Sequence, residues 1–423
     1  PKGVLIELRA AVNFLQSMAE QLGLSASDNL LAVTTISFDI AVLELYLPLL
    51  VGARIALASR TIATDAVQLS DLLASSQATV MQATPATWQM LLAGNWPGSS
   101  QLKMLCGGEA LPRELAEQLL RRGSELWNMY GPTEATVWTA VCQITPEKLK
   151  AIPVAGPVAN TQLYVLETLS ASESQPGEKS HSATVQLLPI GIPGEVHIGG
   201  IGLARGYLNR PDITTERFIP DPFNDHPQAR LYKTGDLARM RPDGTLEFLG
   251  RIDNQVKVRG FRIELGEIET ALVHHTAVQQ AVVVAREDDG DEKRLVAYWL
   301  TEPTANSSPT AKEFRDFLSQ TLPSYMLPAA FVQLEVFPLT PNGKINRRAL
   351  PQPTQSDLQS ATQYVPPRTP QEQQLANIWA DVLKLERDGI HDNFFELGGQ
   401  SRLAAQVIAR IQDVGQRNRP LAQ

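Results

Sequence analysis

Apolar residues recur at Leu5, Leu8, Val12, Leu15, Met18, Ala19 and Leu22, spacing that predicts a helix over residues 4 to 24 with that stripe turned inward. Gly23 is its stop signal. Residues 30 to 37 read as a buried strand, and residues 40 to 50 as a largely apolar helix ending before Gly52. Strand-length runs return at residues 54 to 57, 78 to 82 and 103 to 106, separated by helical segments. Such alternation predicts an α/β layer with partly parallel strands.

From about residue 150 the pattern shortens to β runs bounded by glycine and proline, at residues 162 to 166, 195 to 198 and 245 to 248. Residues 170 to 184, rich in Ser, Glu and Gly and without an apolar period, predict a surface loop. A βαβ-like unit is expected over 264 to 350, and a Pro-, Gln-, Ser- and Thr-rich linker after it leads to a helix at residues 371 to 384. Between these parts lies a charged stretch, residues 250 to 269, in which Arg251, Lys257, Arg259 and Arg262 alternate with Asp253, Glu264, Glu267 and Glu269. It predicts strand up to Ile263 and helix from Glu264, and by composition alone reads equally well as a solvated hairpin between domains.

Composition narrows the classes. A length of 423 residues suggests about three domains, and 43% apolar with 19% charged residues allows ordinary cores. The net charge of -8 argues against a nucleic-acid partner or an anionic membrane, each of which needs a basic face. There is no run of 18 apolar residues and no signal-peptide pattern. Two cysteines, Cys106 and Cys142, are too few for a disulfide framework, so a cytoplasmic location is expected. The opening Pro1-Lys2-Gly3 and the closing Pro420-Leu421-Ala422-Gln423 are unlike natural termini, and a fragment is expected.

Several turns carry polar groups suited to chemistry. Asn128-Met129-Tyr130-Gly131-Pro132-Thr133-Glu134 offers a ring, a hydroxyl and a carboxylate, the last a fit for magnesium. Leu105-Cys106-Gly107-Gly108-Glu109 leaves a strand through two glycines, allowing backbone to approach a ligand. Tyr232-Lys233-Thr234-Gly235-Asp236-Leu237 sets a carboxylate after a turn, and Asn342-Gly343-Lys344-Ile345-Asn346-Arg347 a cation after a hairpin-type Asn-Gly. Each alone is as consistent with an ordinary turn.

Their order and wording, together with Ser37-Phe38-Asp39, Gly194-Glu195-Val196-His197-Ile198-Gly199-Gly200, Gly202-Leu203-Ala204-Arg205-Gly206-Tyr207-Leu208 and Leu322-Pro323-Ser324-Tyr325-Met326-Leu327-Pro328, resemble the adenylation domains of nonribosomal peptide synthetases. These belong to the adenylate-forming superfamily. Residues 365 to 423 resemble the beginning of a peptidyl carrier domain, with Asp392 to Ser401 matching its attachment motif and Arg402 standing where that family carries an apolar residue. The resemblance implies an α/β large subdomain with mixed sheets and a β-rich part over 1–252, a small α+β subdomain over 253–352, a linker over 353–368, and a truncated all-α carrier bundle over 369–423.

It also implies a reaction: activation of a carboxylate by ATP as an adenylate, then transfer to the phosphopantetheine thiol on Ser401. By the same analogy Lys344 bridges the substrate carboxylate and phosphate, Thr133 meets the phosphate, and Glu134 assists Mg2+. Asn128 and Tyr130 take the adenine, Asp236 the ribose, Gly108 and Arg251 the nucleotide, and Asp253 is the hinge between half-reactions. Pro1-Lys2-Gly3 resembles the tail of the family's phosphate loop, so this chain alone is expected to turn over little ATP. Neighbouring condensation or polyketide modules and a phosphopantetheinyl transferase are the implied partners.

Asp39 is the implied partner of an amino acid's ammonium, and Ile40, Leu43, Gln82, Leu105, Gly107, Met129, Val137 and Trp138, with Lys344, fill the remaining pocket positions. The set offers no charge for an ionic side chain and is bulky, as in glycine-activating members. Glycine is therefore expected, alanine-like residues next, and an aromatic or phenylpropanoid acid if Trp138 turns aside. An acyl-CoA ligase and a non-catalytic scaffold are the competing classes; Asp39 and the carrier-like segment argue against the first.

Overall fold

A computed structural model describes residues 2–154, 156–167, 185–253, 255–258, 261–286, 293–302, 309–339, 345–354, 365–383, 389–390, 407 and 410–411. The chain divides into two compact units, Pro1–Asp253 and Asn254–Gln423.

The first unit opens with α1 (Leu8–Leu22) and builds a sheet from β1 (Asn29–Ala32), β2 (Arg54–Leu57), β3 (Val80–Ala83), β4 (Lys103–Gly107), β5 (Glu125–Tyr130) and β6 (Ala140–Ile144). The order is β2-β1-β3-β4-β5-β6, with the first five parallel and β6 antiparallel to β5. Helix α2 (Ala41–Val51) crosses from β1 to β2, as a parallel pair requires. A second, antiparallel sheet of Thr161–Leu166, Pro193–Gly200, Arg230–Met240 and Leu246–Arg251, with Phe218–Pro220 at its side, accounts for the short β runs.

Two local expectations are corrected. The buried stripe of α1 is Ala10, Phe14, Ser17, Met18 and Leu22, while Leu8 and Val12 are 80% and 52% exposed. Both stripes have helical spacing; the one carrying Phe14 packs into the core shared with Leu43 and Leu47 of α2. The strand expected over residues 30 to 37 ends at Ala32, because the Val33 and Thr34 amides donate to the Glu44 carboxylate at 2.9 and 3.0 Å instead of to a neighbouring strand.

In the second unit the charged stretch forms an antiparallel hairpin, Gln255–Val258 with Phe261–Glu264, and runs into a helix at Leu265–Val273. Strands Val278–Arg286 and Arg294–Thr301 pair antiparallel; a helix at Ala311–Ser319, held by a Thr310/Glu313 capping box, returns the chain to Ala330–Leu334 parallel to the second. The βαβ expectation thus holds for that last crossover only. Ile263, Ile268, Val283, Trp299 and Phe314 form the core of this unit. The expected carrier helix is found at Pro370–Leu383, whereas the surface loop expected at residues 170 to 184 lies outside the described residues. Among the described residues no helix is long and apolar enough to cross a membrane.

Candidate active site

Strand β5 and the turn after it carry the densest set of expected site residues. Tyr130 ends β5 and donates its hydroxyl to the Asp236 carboxylate at 2.5 Å, bringing together residues 106 apart in sequence. Asp236 also accepts from Arg251 at 2.5 Å, and Arg251 grips Asp253 through two bonds of 2.7 Å. Arg217 approaches the same Asp253 at 3.9 Å. Burial, and next the Asp236 charge, push the Tyr130 hydroxyl well above its ordinary range, so it remains a donor. The Asp236 amide is anchored to the Thr234 hydroxyl at 3.0 Å; the turn expected before Asp236 is instead an irregularity inside the strand Arg230–Met240, whose register against Pro193–Gly200 shifts between Lys233 and Leu237.

The turn continues into Thr133, whose hydroxyl donates to Asp39 at 2.5 Å. Two residues assigned to different parts of a substrate are thus in direct contact. Glu134 is buried and accepts from the Tyr207 hydroxyl at 2.6 Å, while its carbonyl accepts from the Ala204 amide at 2.8 Å. Burial and then the Glu134 charge hold the Tyr207 hydroxyl far above its ordinary range. A single carboxylate suits magnesium held mainly by substrate phosphates, a mode that needs one or two protein oxygens. Glu134 fits that role, and the ion would there neutralise phosphate charge. Among the described residues no group of three or more His, Cys, Asp or Glu side chains forms a fuller cage.

Asn128 is buried on β5 and donates to the Pro153 carbonyl at 2.9 Å. Gly108 has φ +88°, a value that side chains rarely adopt, and a Cβ there would meet only Thr84, at 3.5 Å.

The expected pocket residues converge. Ile40, Leu43, Leu105, Met129, Val137 and Trp138 belong to one buried cluster. Gly107 abuts two of them: a Cβ added there would lie 2.6 Å from the Trp138 ring and 2.8 Å from the Met129 carbonyl oxygen. Gln82 is fully buried and accepts from the Trp138 indole N–H at 2.7 Å. Its amide nitrogen donates to the Ile40 carbonyl and to Glu44, both at 2.9 Å. Lys344 and Ser401 lie outside the described residues, although an antiparallel bridge between Leu339 and Ile345 flanks the expected Asn-Gly turn.

Sequence reasoning gave no role to Glu44 or Tyr207. Glu44 had a signal, being the lone charge in an otherwise apolar helix; Tyr207 had none beyond the motif that contains it.

Three family models match the chain: "AMP-binding enzyme" over residues 1–208, "AMP-binding enzyme C-terminal domain" over residues 267–344, and "Phosphopantetheine attachment site" over residues 373–417. A dimodular nonribosomal peptide synthase of Bacillus subtilis (strain 168) is 45% identical over 415 residues, 98% of this chain and 16% of that protein. The chain belongs to the AMP-binding enzymes, as an adenylation domain followed by carrier-domain sequence. Tyrocidine synthase 3 of Brevibacillus parabrevis is 42% identical over 425 residues, 100% of this adenylation–carrier chain and 6% of that protein. The chain therefore spans only a small part of these relatives' length.

Among solved structures, a four-domain nonribosomal peptide synthetase bound to AMP and glycine is 42% identical, covering 98% of this chain and 30% of that one, with a TM-score of 0.55. An adenylation–carrier protein bound to a vinylsulfonamide inhibitor is 28% identical, covering 100% of this chain and 67% of that one, with a TM-score of 0.75.

Proposed function

We propose that this adenylation domain activates glycine with ATP as glycyl-adenylate and passes the acyl group to the carrier segment in nonribosomal peptide synthesis. The observation carrying the substrate choice is the tether between Trp138 and Gln82, which holds a bulky indole in the buried pocket cluster beside Gly107. Turning Trp138 aside for an aromatic acid would strand two buried polar groups, at a cost of about 1–3 kcal/mol each. The 42%-identical synthetase bound to AMP and glycine supports the same choice.

In this reading Asp39 pairs with the glycine ammonium while Thr133, hydrogen-bonded to it, meets the phosphate, so the two substrate groups lie side by side. Asp236 receives the ribose hydroxyls, Tyr130 and Asn128 flank the adenine, and Lys344 bridges carboxylate and phosphate. Catalysis is then positioning and charge neutralisation. Phosphopantetheine on Ser401 would supply the thiol that takes the acyl group, after loading by a phosphopantetheinyl transferase. Neighbouring condensation or polyketide modules would use the product. The two unpaired cysteines, Cys106 and Cys142, suit a reducing cytoplasm.

Amino-acid-dependent ATP–pyrophosphate exchange across a substrate panel tests the reading in the full-length protein. Glycine is expected to lead, with alanine lower by about 10-fold or more. Preference for leucine or a charged amino acid would reject it.

Asp253 ends the first compact unit and is proposed as the hinge between the half-reactions. Asp253→Pro fixes a backbone angle but also removes the carboxylate that holds Arg251, so Asp253→Ala is the necessary partner variant. The expected result is that proline slows thioester formation well beyond its effect on adenylation, whereas alanine slows both alike. An equal loss in both half-reactions for proline would remove the hinge assignment.

A further inference from the structure

We propose that Glu44 is a positioning residue that sets the size of the amino-acid pocket, fixing the Gln82 amide and through it the Trp138 ring. The inference rests on the pocket reading above but adds a residue that does not touch the substrate. Glu44 is the lone charge on α2, fully buried, on the turn of helix next to Leu43 and Ile40.

Every acceptor site of its carboxylate is used. Oε2 accepts from the Val33 and Thr34 amides at 2.9 and 3.0 Å, and Oε1 from the Thr34 hydroxyl at 2.6 Å and from Gln82 Nε2 at 2.9 Å. Burial raises the Glu44 carboxyl above its ordinary value, against the hydrogen bonds from Thr34, Gln82 and Val33 that favour its charge. In the ionised form, receiving all four of these bonds, it only accepts and so dictates which end of the Gln82 amide faces it. The nitrogen must point at Glu44 and the Ile40 carbonyl, leaving Gln82 Oε1 as the acceptor for the Trp138 indole at 2.7 Å. The same carboxylate anchors residues 33 and 34, from which the chain runs to Asp39. The bulky wall of the pocket therefore depends, through Gln82, on one buried group.

Glu44→Gln is nearly isosteric yet breaks this logic. With its oxygen kept on the two backbone amides, its new amide nitrogen faces Gln82 Nε2, donor against donor. Flipping Gln82 relieves that clash but turns a donor toward the Trp138 N–H and an acceptor toward the Ile40 carbonyl. The indole loses its tether, and the pocket can open to a larger side chain.

The test measures exchange kcat/KM for glycine and alanine in the full-length wild type, Glu44→Gln, Trp138→Phe and the double variant. Glu44→Gln is expected to lower glycine by about 10-fold and to leave alanine within about two-fold, so that discrimination falls by about 10-fold. Trp138→Phe, which cuts the last bond of the same chain, should give a similar shift, and the double variant little more than either. Equal losses for both amino acids, or additive shifts in discrimination, would reduce Glu44 to a structural residue and overturn the proposal. Should Glu44→Gln fail to fold, Trp138→Phe decides alone, since unchanged discrimination there also overturns it. If the wild type prefers another amino acid, the glycine reading fails. The proposal is then judged by whether the variants shift preference from that amino acid toward larger ones.

Discussion

Asp236→Asn is expected to lower amino-acid-dependent exchange by about 10- to 100-fold, as replacing the charged acceptor proposed for two ribose hydroxyls by a neutral amide with a single oxygen implies. It should also reduce unfolding free energy by about 3 kcal/mol, the lower end for breaking a buried ion pair. The carboxylate is 5% exposed and already receives Tyr130 and Arg251. An asparagine offers one oxygen and one NH2. Tyr130 can turn its hydroxyl to accept from that nitrogen, but the Arg251 guanidinium cannot, having only donors. Arg251 keeps Asp253 through two bonds, which limits the stability loss. Denaturant midpoints at unchanged slope, measured beside exchange, separate the two effects. A destabilised variant with wild-type exchange would remove Asp236 from the ribose site.

Gly131→Ala should be worse for the fold and abolish exchange with every amino acid. A Cβ at this position would lie 2.3 Å from the Val137 carbonyl oxygen, 2.7 Å from the Thr139 amide nitrogen and 2.7 Å from Trp138 Cα. All three are backbone atoms. The segment they belong to already holds Thr136 and Val137 at φ 62° and 67°, a region costly for β-branched residues, so it has little freedom to retreat. A loss of about 3 kcal/mol or more is expected. Because Tyr130, Thr133 and Glu134 lie on one side of this contact and Val137 with Trp138 on the other, spreading it separates the residues proposed for the nucleotide from those proposed for the pocket. Gly266→Ala is the control: it is exposed in the first turn of its helix, nothing lies within 4 Å of the added carbon, and a gain of about 0.5–1 kcal/mol is expected. Wild-type melting and exchange for Gly131→Ala would refute the steric argument.

Local pattern was enough for four of the five parallel strands, each a short run bounded by turn residues, and for the hairpin and helix of the charged stretch; it missed β5, whose Asn128 to Tyr130 read as part of a turn but form the end of a strand paired with β4 and β6. It failed where two solutions satisfy the same period. Helix α1 carries two stripes of helical spacing, and only packing against α2 chose the one with Phe14. It failed again at residues 33 to 37, which read as strand although a side chain from the next helix takes the Val33 and Thr34 backbone donors.

Motifs whose order and residue types are local carry the family without help from the fold, and they name the residues proposed for the pocket. How those residues hold one another was settled in three dimensions. Thr133 meets Asp39 across 94 positions, Tyr130 meets Asp236 across 106, and Glu44 reaches Trp138 through Gln82. Periodicity records which face of an element is buried, because burial repeats with the backbone. A hydrogen bond between distant side chains has no period, and its partners are fixed only once the sheet has brought β3, β4 and β5 side by side.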